Sequence, residues 1–371
     1  MTILASGIDT LVLAVDVAWR DESVLDCLSK IKERAKAEDK ERPSIMKGKR
    51  KGEEWVFSVM PYGVRGYEWL LTGKEFNMRI GKWIEPETRP SVMIEIGSET
   101  LWRKGPHEAV EKSLGVIEVN GGQLVAVKVS RADLCVDILL DDESWGNDLE
   151  GYLVTRGKKW NMWLSPKGLE SLTVGTEEIR GRLYDKPLEI KQKSKKRWMY
   201  DIWKIKGIKG EKKVIRVEFQ IRRTVLKELD AGEVNTFFMN CDRLWSYCTR
   251  KWLKFQTGKG KHHTQRKTLD WWKEVQDGFM GVQEAVPAIR EKAIREDTEQ
   301  LRAQILGLGS SLTALEMERR GSAISDWPGL EDGAEVVSAV IRRGKRNCQT
   351  TNREFQEAVI RKRARYARPL Q

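Results

Sequence analysis

Apolar and polar residues alternate with a period of two through much of the first 230 residues, and three runs carry charge at the polar positions. They are Arg131-Ala-Asp-Leu-Cys-Val-Asp137, Ile179-Arg-Gly-Arg-Leu-Tyr-Asp-Lys186 and Val214-Ile-Arg-Val-Glu-Phe-Gln-Ile-Arg222. Strand side chains point alternately to the two faces, so residues i and i+2 share one. One face then holds Arg131, Asp133 and Asp137. It also holds Arg180, Arg182, Tyr184 and Lys186, and Arg216, Glu218, Gln220 and Arg222. Other strand-like runs lie at Leu11–Trp19, Trp55–Met60, Gly66–Thr72, Phe76–Trp83, Ser91–Ile96, Gln123–Leu140, Lys159–Ser165 and Leu172–Thr176, punctuated by Gly, Pro and Asn. Glu22–Glu38 and His107–Val119 have helical spacing, and Leu149–Thr155 reads as a short helix. The charged stretch Asp39–Glu54, with Pro43 and Gly48, reads as a loop.

Many strands, short connections and few helices predict an α+β fold built on a twisted antiparallel sheet. From about Glu233 the period changes. Phe237–Phe255, Leu269–Phe279, Val282–Leu306, Leu330–Arg346 and Asn352–Arg368 have helical spacing. The division expected is a sheet domain over 1–232 and a helical, basic region over 233–371, with a Gly/Lys/His linker near 256–266.

Charge adds a partner. The 371-residue chain carries a net +12, and Arg156–Arg223 alone holds 20 Lys/Arg against 8 Asp/Glu, a surplus equal to that of the whole chain. Arg342–Arg368 adds 10 basic residues against 2 acidic ones. Such concentration is the footprint of nucleic-acid binding. Interleaved Trp160, Trp163, Trp198, Tyr200 and Trp203 suit stacking on unpaired bases. Candidate DNA contacts are Arg131, Arg180, Lys191, Lys193, Lys195, Lys196, Arg197, Trp198, Arg216 and Arg222. No window approaches the roughly 20 apolar residues of a membrane span. The first residues lack a signal-peptide layout, and five scattered cysteines suit neither a disulfide framework nor a zinc ribbon, so a reducing cytoplasm is expected.

Several chemistries are disfavoured. The three histidines, His107, His262 and His263, form no His-hydrophobic-His metal motif and flank no nucleophile motif. No GxxxxGK[ST] loop is present. The polar strand face remains. A tyrosine can attack phosphorus, carboxylates can hold a hard divalent cation, and Arg and Lys can neutralise the phosphate. The groups that fit are Tyr184, with Tyr200 second; Arg182 and Lys186; and Asp133, Asp137 and Glu218 as ligands for Mg2+ or Mn2+. Residues four apart on a strand lie roughly 13 Å apart, so Asp133 and Asp137 should not share one ion. An exposed face laced with cross-strand ion pairs uses the same residues.

At these residues the chain resembles the replication initiation factor family of rolling-circle initiators and related relaxases. The likeness lies in the order of Arg-x-Asp-x-x-x-Asp (Arg131, Asp133, Asp137), Arg-x-Tyr-Asp-Lys-x-x-Glu (Arg182, Tyr184, Asp185, Lys186, Glu189) and Arg-x-Glu (Arg216, Glu218). Gly175-Thr176 and the opening Gly7-Ile-Asp-Thr-Leu add to it, over roughly residues 7 to 255. The resemblance implies a saddle-like catalytic sheet, a divalent metal, a nick in one strand at an origin and a 5′-phosphotyrosyl intermediate. It also implies a homodimer. Some relatives carry a further tyrosine where this chain has Leu188. Asp185 and Glu189 have the opposite strand parity to Tyr184 and face away unless the strand ends near Pro187. The basic C-terminal helices suit binding of the origin duplex, dimerisation or recruitment of a host helicase equally. Origin or single-strand binding without cleavage, and a metal nuclease that uses water, are the alternatives.

Overall fold

The structure, a computed structural model, describes residues 1–285 apart from 142–143, 147, 167, 205–211 and 259–264, and beyond them 298–299, 301–311 and a few further positions. Its strands in chain order are β1 (Thr2–Trp19), β2 (Arg42–Lys47), β3 (Glu54–Val59), β4 (Trp69–Gly73), β5 (Phe76–Ile80), β6 (Val92–Gly97) and β7 (Gly122–Asp141). They continue with β8 (Leu153–Thr155), β9 (Trp160–Ser165), β10 (Gly168–Val174), β11 (Ile179–Asp185), β12 (Lys212–Arg222) and β13 (Leu253–Phe255). Eleven form one antiparallel sheet in the order β2-β3-β4-β5-β6-β1-β7-β12-β11-β10-β9, and β8 pairs with β13 in a second. This is the expected α+β class.

Two long central strands organise the sheet. β1 and β7 pair along nearly their whole length, with register shifts that include one between Ile8 and Thr10. β6 covers β1 only from Thr10 to Val15. Nearer the N-terminus that edge of β1 is closed by a side chain. The Gln283 amide donates to the Ile8 carbonyl and accepts from the Ile8 N–H, both at 2.8 Å. Gly7 makes this approach possible, because a Cβ there would lie 2.4 Å from Gln283 Oε1.

One face of the sheet is the main core. Leu183, Val217, Phe219, Leu134 and Val136 are buried, and helices pack over them. Phe219 meets Trp245 edge-on at 5.4 Å and Trp252 at 6.1 Å. Those tryptophans lie beyond residue 232, as do Phe255 and Trp272, and all belong to the same core. The described part of the expected C-terminal region, through residue 279, therefore packs as an integral layer on the sheet. Over the other face, the segment 186–203 folds back so that Ile190, Trp198, Met199 and Trp203 pack on Ala5, Cys135 and Val214.

Several local expectations change. The expected loop Asp39–Glu54 contains the edge strand β2, which buries only Ser44 and Met46 and so tolerates charge elsewhere. Phe237–Phe255 is two short helices, Val234–Met239 and Cys241–Tyr247, then a π-turn and β13. Leu149–Thr155 is one 3-10 turn followed by β8. Of the helix expected over Val282–Leu306, residues 282–285 are not helical and 298–299 and 301–306 are, while the linker near 256–266 and the helices expected over Leu330–Arg346 and Asn352–Arg368 fall largely outside the described residues. Among the described residues no helix is long and apolar enough to cross a membrane.

Candidate active site

Pairing across five strand interfaces aligns the polar residues into rows. Trp163 of β9 lies opposite Ser171, which lies opposite Tyr184, then Arg216, Asp137 and Ala5. The next row reads Asn161, Thr173, Arg182, Glu218, Cys135 and Gly7. Beyond it come Arg180, Gln220 and Asp133, then Arg222 opposite Arg131. The face expected from alternation thus exists.

The groups on it divide into two linked clusters. In the first, Tyr184 Oη donates to Glu218 Oε2 at 2.8 Å. Arg182 Nη2 lies 3.3 Å from Glu218 Oε1, 3.0 Å from Gln220 Oε1 and 3.7 Å from Asp133 Oδ2. Asp133 also accepts Arg131 Nε at 2.8 Å. Burial raises the Asp133 carboxyl to about 6; Arg131 opposes this, and the neighbouring Glu218 adds to it. Burial and then Glu218 push the Tyr184 phenol well above its ordinary value. The phenol is therefore a neutral donor to Glu218.

The second cluster centres on Arg216, which is fully buried. It grips Asp137 with Nε to Oδ1 at 2.6 Å and Nη2 to Oδ2 at 2.8 Å, and its Nη1 donates to Asp9. Trp203 Nε1 donates to Asp137 Oδ2 at 2.8 Å. Burial works to raise the Asp9 carboxyl, but Arg216, Lys196 and Lys186 outweigh it and hold it well below the usual range. Asp9 reaches this face at the register shift between Ile8 and Thr10. The sequence signal for it was an acid in a mainly apolar run, one of two in β1 with Asp16.

Lys186 is buried, bonded to Glu189 Oε2 at 2.7 Å, and lies 5.3 Å from the centre of the Tyr184 ring. Burial, followed by Arg216, lowers its pKa. β11 ends at Asp185, whose Oδ1 caps the next turn by accepting from the Leu188 N–H at 2.8 Å, with Pro187 in that first turn. The strand therefore stops before parity can carry Glu189 away. Asp185, Leu188 and Glu189 all line an open cavity of 380 Å³ with Tyr184, Arg182 and Trp163. Lys193 lies at this cavity, and Lys191, Lys195 and Arg197 are exposed on the segment that follows β11.

Three expected roles change. Arg216 is spent on Asp137 and Asp9 and, being buried, does not meet a phosphate. Trp198 is 7% exposed and packs inside, so it offers no stacking face, whereas Trp163 is 48% exposed. Asp137 belongs to Arg216, which leaves Asp133 and Glu218, of the three expected ligands, as the pair that could share an ion. Among the described residues no three His, Cys, Asp or Glu side chains gather to hold an ion. Asp133 and Glu218 do approach each other, but the Arg182 guanidinium stands between them where a cation would sit. This arrangement does not fit the expected metal. Tyr200 packs edge-on against Trp203 at 5.3 Å and is not among the residues lining the cavity. Arg180 donates to the Thr176 carbonyl at 3.2 Å, and Arg222 is exposed.

Fold and site together define an α+β protein with a buried, charge-paired sheet face opening on a tyrosine-lined cavity. No family profile matches the chain, and neither does any curated protein. Among solved structures it is similar to a rolling circle replication initiator protein from Geobacillus stearothermophilus, at 13% identity and a TM-score of 0.43, over 76% of this chain and 98% of that one. A likeness this loose carries no argument about activity.

Proposed function

We propose that this protein nicks one strand of DNA through Tyr184, as the replication initiation factor family that its motifs resemble does. The observation that carries the reading is the Tyr184–Glu218 hydrogen bond of 2.8 Å beside an open cavity, with Arg182 on the same face. Glu218 accepts the phenolic proton as Oη attacks phosphorus. The Oη–P bond forms and the P–O3′ bond breaks. The 3′ oxygen leaves as a hydroxyl, taking a proton from water, and the 5′ phosphate stays on the tyrosine. Arg182 offers the charge that a pentacoordinate phosphate gathers, and meeting it costs a shift from Glu218 and Gln220. Lys186 positions the tyrosine ring from beneath. The exposed lysines after β11 hold the strand electrostatically. No step is routed through a metal, because the carboxylates are already paired.

That same pairing favours a second reading, in which the chain binds single-stranded or origin DNA without cutting it. The two separate on a denaturing gel after incubation with single-stranded DNA, with and without divalent ion. The nicking reading expects a covalent adduct in the wild type and none in Tyr184→Phe. An adduct that persists in Tyr184→Phe removes Tyr184 from the role; nicking without any adduct points to water as the nucleophile; binding alone supports the second reading.

A further inference from the structure

Resting on the DNA reading above, we infer that the cavity beside Tyr184 is a subsite for one unpaired nucleobase, with Trp163 as its stacking platform. Alternation sorts the two exposed tryptophans of edge strand β9. Trp163 lies opposite Ser171, hence on the face of Tyr184, while Trp160 lies opposite Val174 on the other face. Trp163 lines the cavity, is 48% exposed and makes no ring contact among the described residues. A large aromatic left open on an edge strand is a liability unless something covers it. Two strand spacings separate it from Tyr184, roughly 10 Å, so a base on Trp163 belongs to a nucleotide within one or two of the phosphate at Tyr184.

The lining favours a base over a phosphate. Glu170 contributes a carboxylate that accepts from ring and amino N–H groups and repels a phosphate, while Asp185 and Glu189, already engaged with the Leu188 N–H and Lys186, keep the lining acidic. The cations at the cavity, Arg182 and Lys193, suit the flanking backbone. A volume of 380 Å³ is at the small end of the range of about 300–1,000 Å³ that small ligands occupy, enough for a single nucleoside. A base held in a duplex cannot enter a recess on a sheet face, so the occupant is single-stranded.

The test uses the full chain and a dye-labelled oligothymidylate, with affinity read by fluorescence anisotropy across a salt series. Trp163→Ala is expected to weaken binding about 5- to 150-fold, the span of base–aromatic stacking. Trp163→Phe should recover most of it. Trp160→Ala should bind as wild type, and duplex affinity should not change in any variant. The salt slope of Trp163→Ala should equal that of the wild type, because stacking releases no counterions. Wild-type affinity in Trp163→Ala, or an equal loss in Trp160→Ala, overturns the inference. A Tyr184-dependent adduct with unaltered Trp163→Ala binding overturns the subsite alone. Loss of binding in Trp163→Ala without any adduct overturns the nicking reading alone.

Discussion

Replacing Arg216 by Met tests whether the second cluster is held by charge. The guanidinium is wholly buried and compensates two carboxylates, Asp137 through two hydrogen bonds of 2.6 and 2.8 Å and Asp9 through a third. Methionine keeps most of the length and removes the charge. Breaking a buried pair by deleting one partner costs about 3–5 kcal/mol, since the abandoned charge keeps its desolvation penalty. Against a typical stability of about 5–15 kcal/mol, that is a large fraction of the total. The pH dependence identifies the cause. In the wild type the Asp9 carboxyl lies below its ordinary value of 3.8, so its contribution is complete above that value and is lost only as pH falls through the folded pKa. In Arg216→Met burial loses its main opponent and the carboxyl rises above 3.8. The variant then regains stability as pH falls through that raised value. Urea denaturation followed by tryptophan fluorescence and circular dichroism at pH 7 and near pH 4 should show the penalty shrinking on acidification. A penalty under about 1 kcal/mol, or one that grows as pH falls, refutes the electrostatic account.

Asp133→Asn should alter the acid side differently. Because the folded carboxyl sits at about 6 rather than 3.8, its ionisation erodes wild-type stability as pH rises between those values, by about 3 kcal/mol. The stability difference between wild type and Asp133→Asn should therefore fall across that window in a pH series of denaturation curves, and parallel curves would contradict it. Gly175→Ala should destabilise by about 1–3 kcal/mol, because φ there is +77° and the added Cβ would lie 2.4 Å from the Ile179 carbonyl. A thermal melt unchanged from the wild type would show that the turn before β11 can relax.

What the sequence disclosed followed from locality. Alternation is a property of a single strand, so Asp133 and Asp137, Arg182 and Tyr184, and Arg216 and Glu218 could be assigned to one face without knowing the sheet. Strand neighbours are not local. Only the order β1-β7-β12-β11 gives Asp137 to Arg216 and leaves Arg182 between Asp133 and Glu218. Asp9 was hidden by a register shift, which alternation cannot anticipate. Trp198 looked like a stacking residue because it follows a basic run, but its partners are Met199, Ala5 and Val214, brought together when segment 186–203 turns back over the sheet. The edge strand β2 was obscured by charge that an edge position permits.

The row from Trp163 to Asp137 also ties the arrangement of the site to the fidelity of folding. The residues between its members on each strand, such as Leu183, Val217 and Val136, are fully buried on the opposite side. A slip of one residue in β11 or β12 would press arginines into the core and turn leucine and valine outward, so it is rejected at once. A slip of two residues preserves that alternation, yet it would set Tyr184 opposite a different partner on β12. Misfolded copies that escape the hydrophobic check would keep the apolar face inward yet lose the Tyr184–Glu218 hydrogen bond. Point substitutions will rarely produce such copies. Paired insertions in the turns flanking β11 are the mutations to which this arrangement is most exposed.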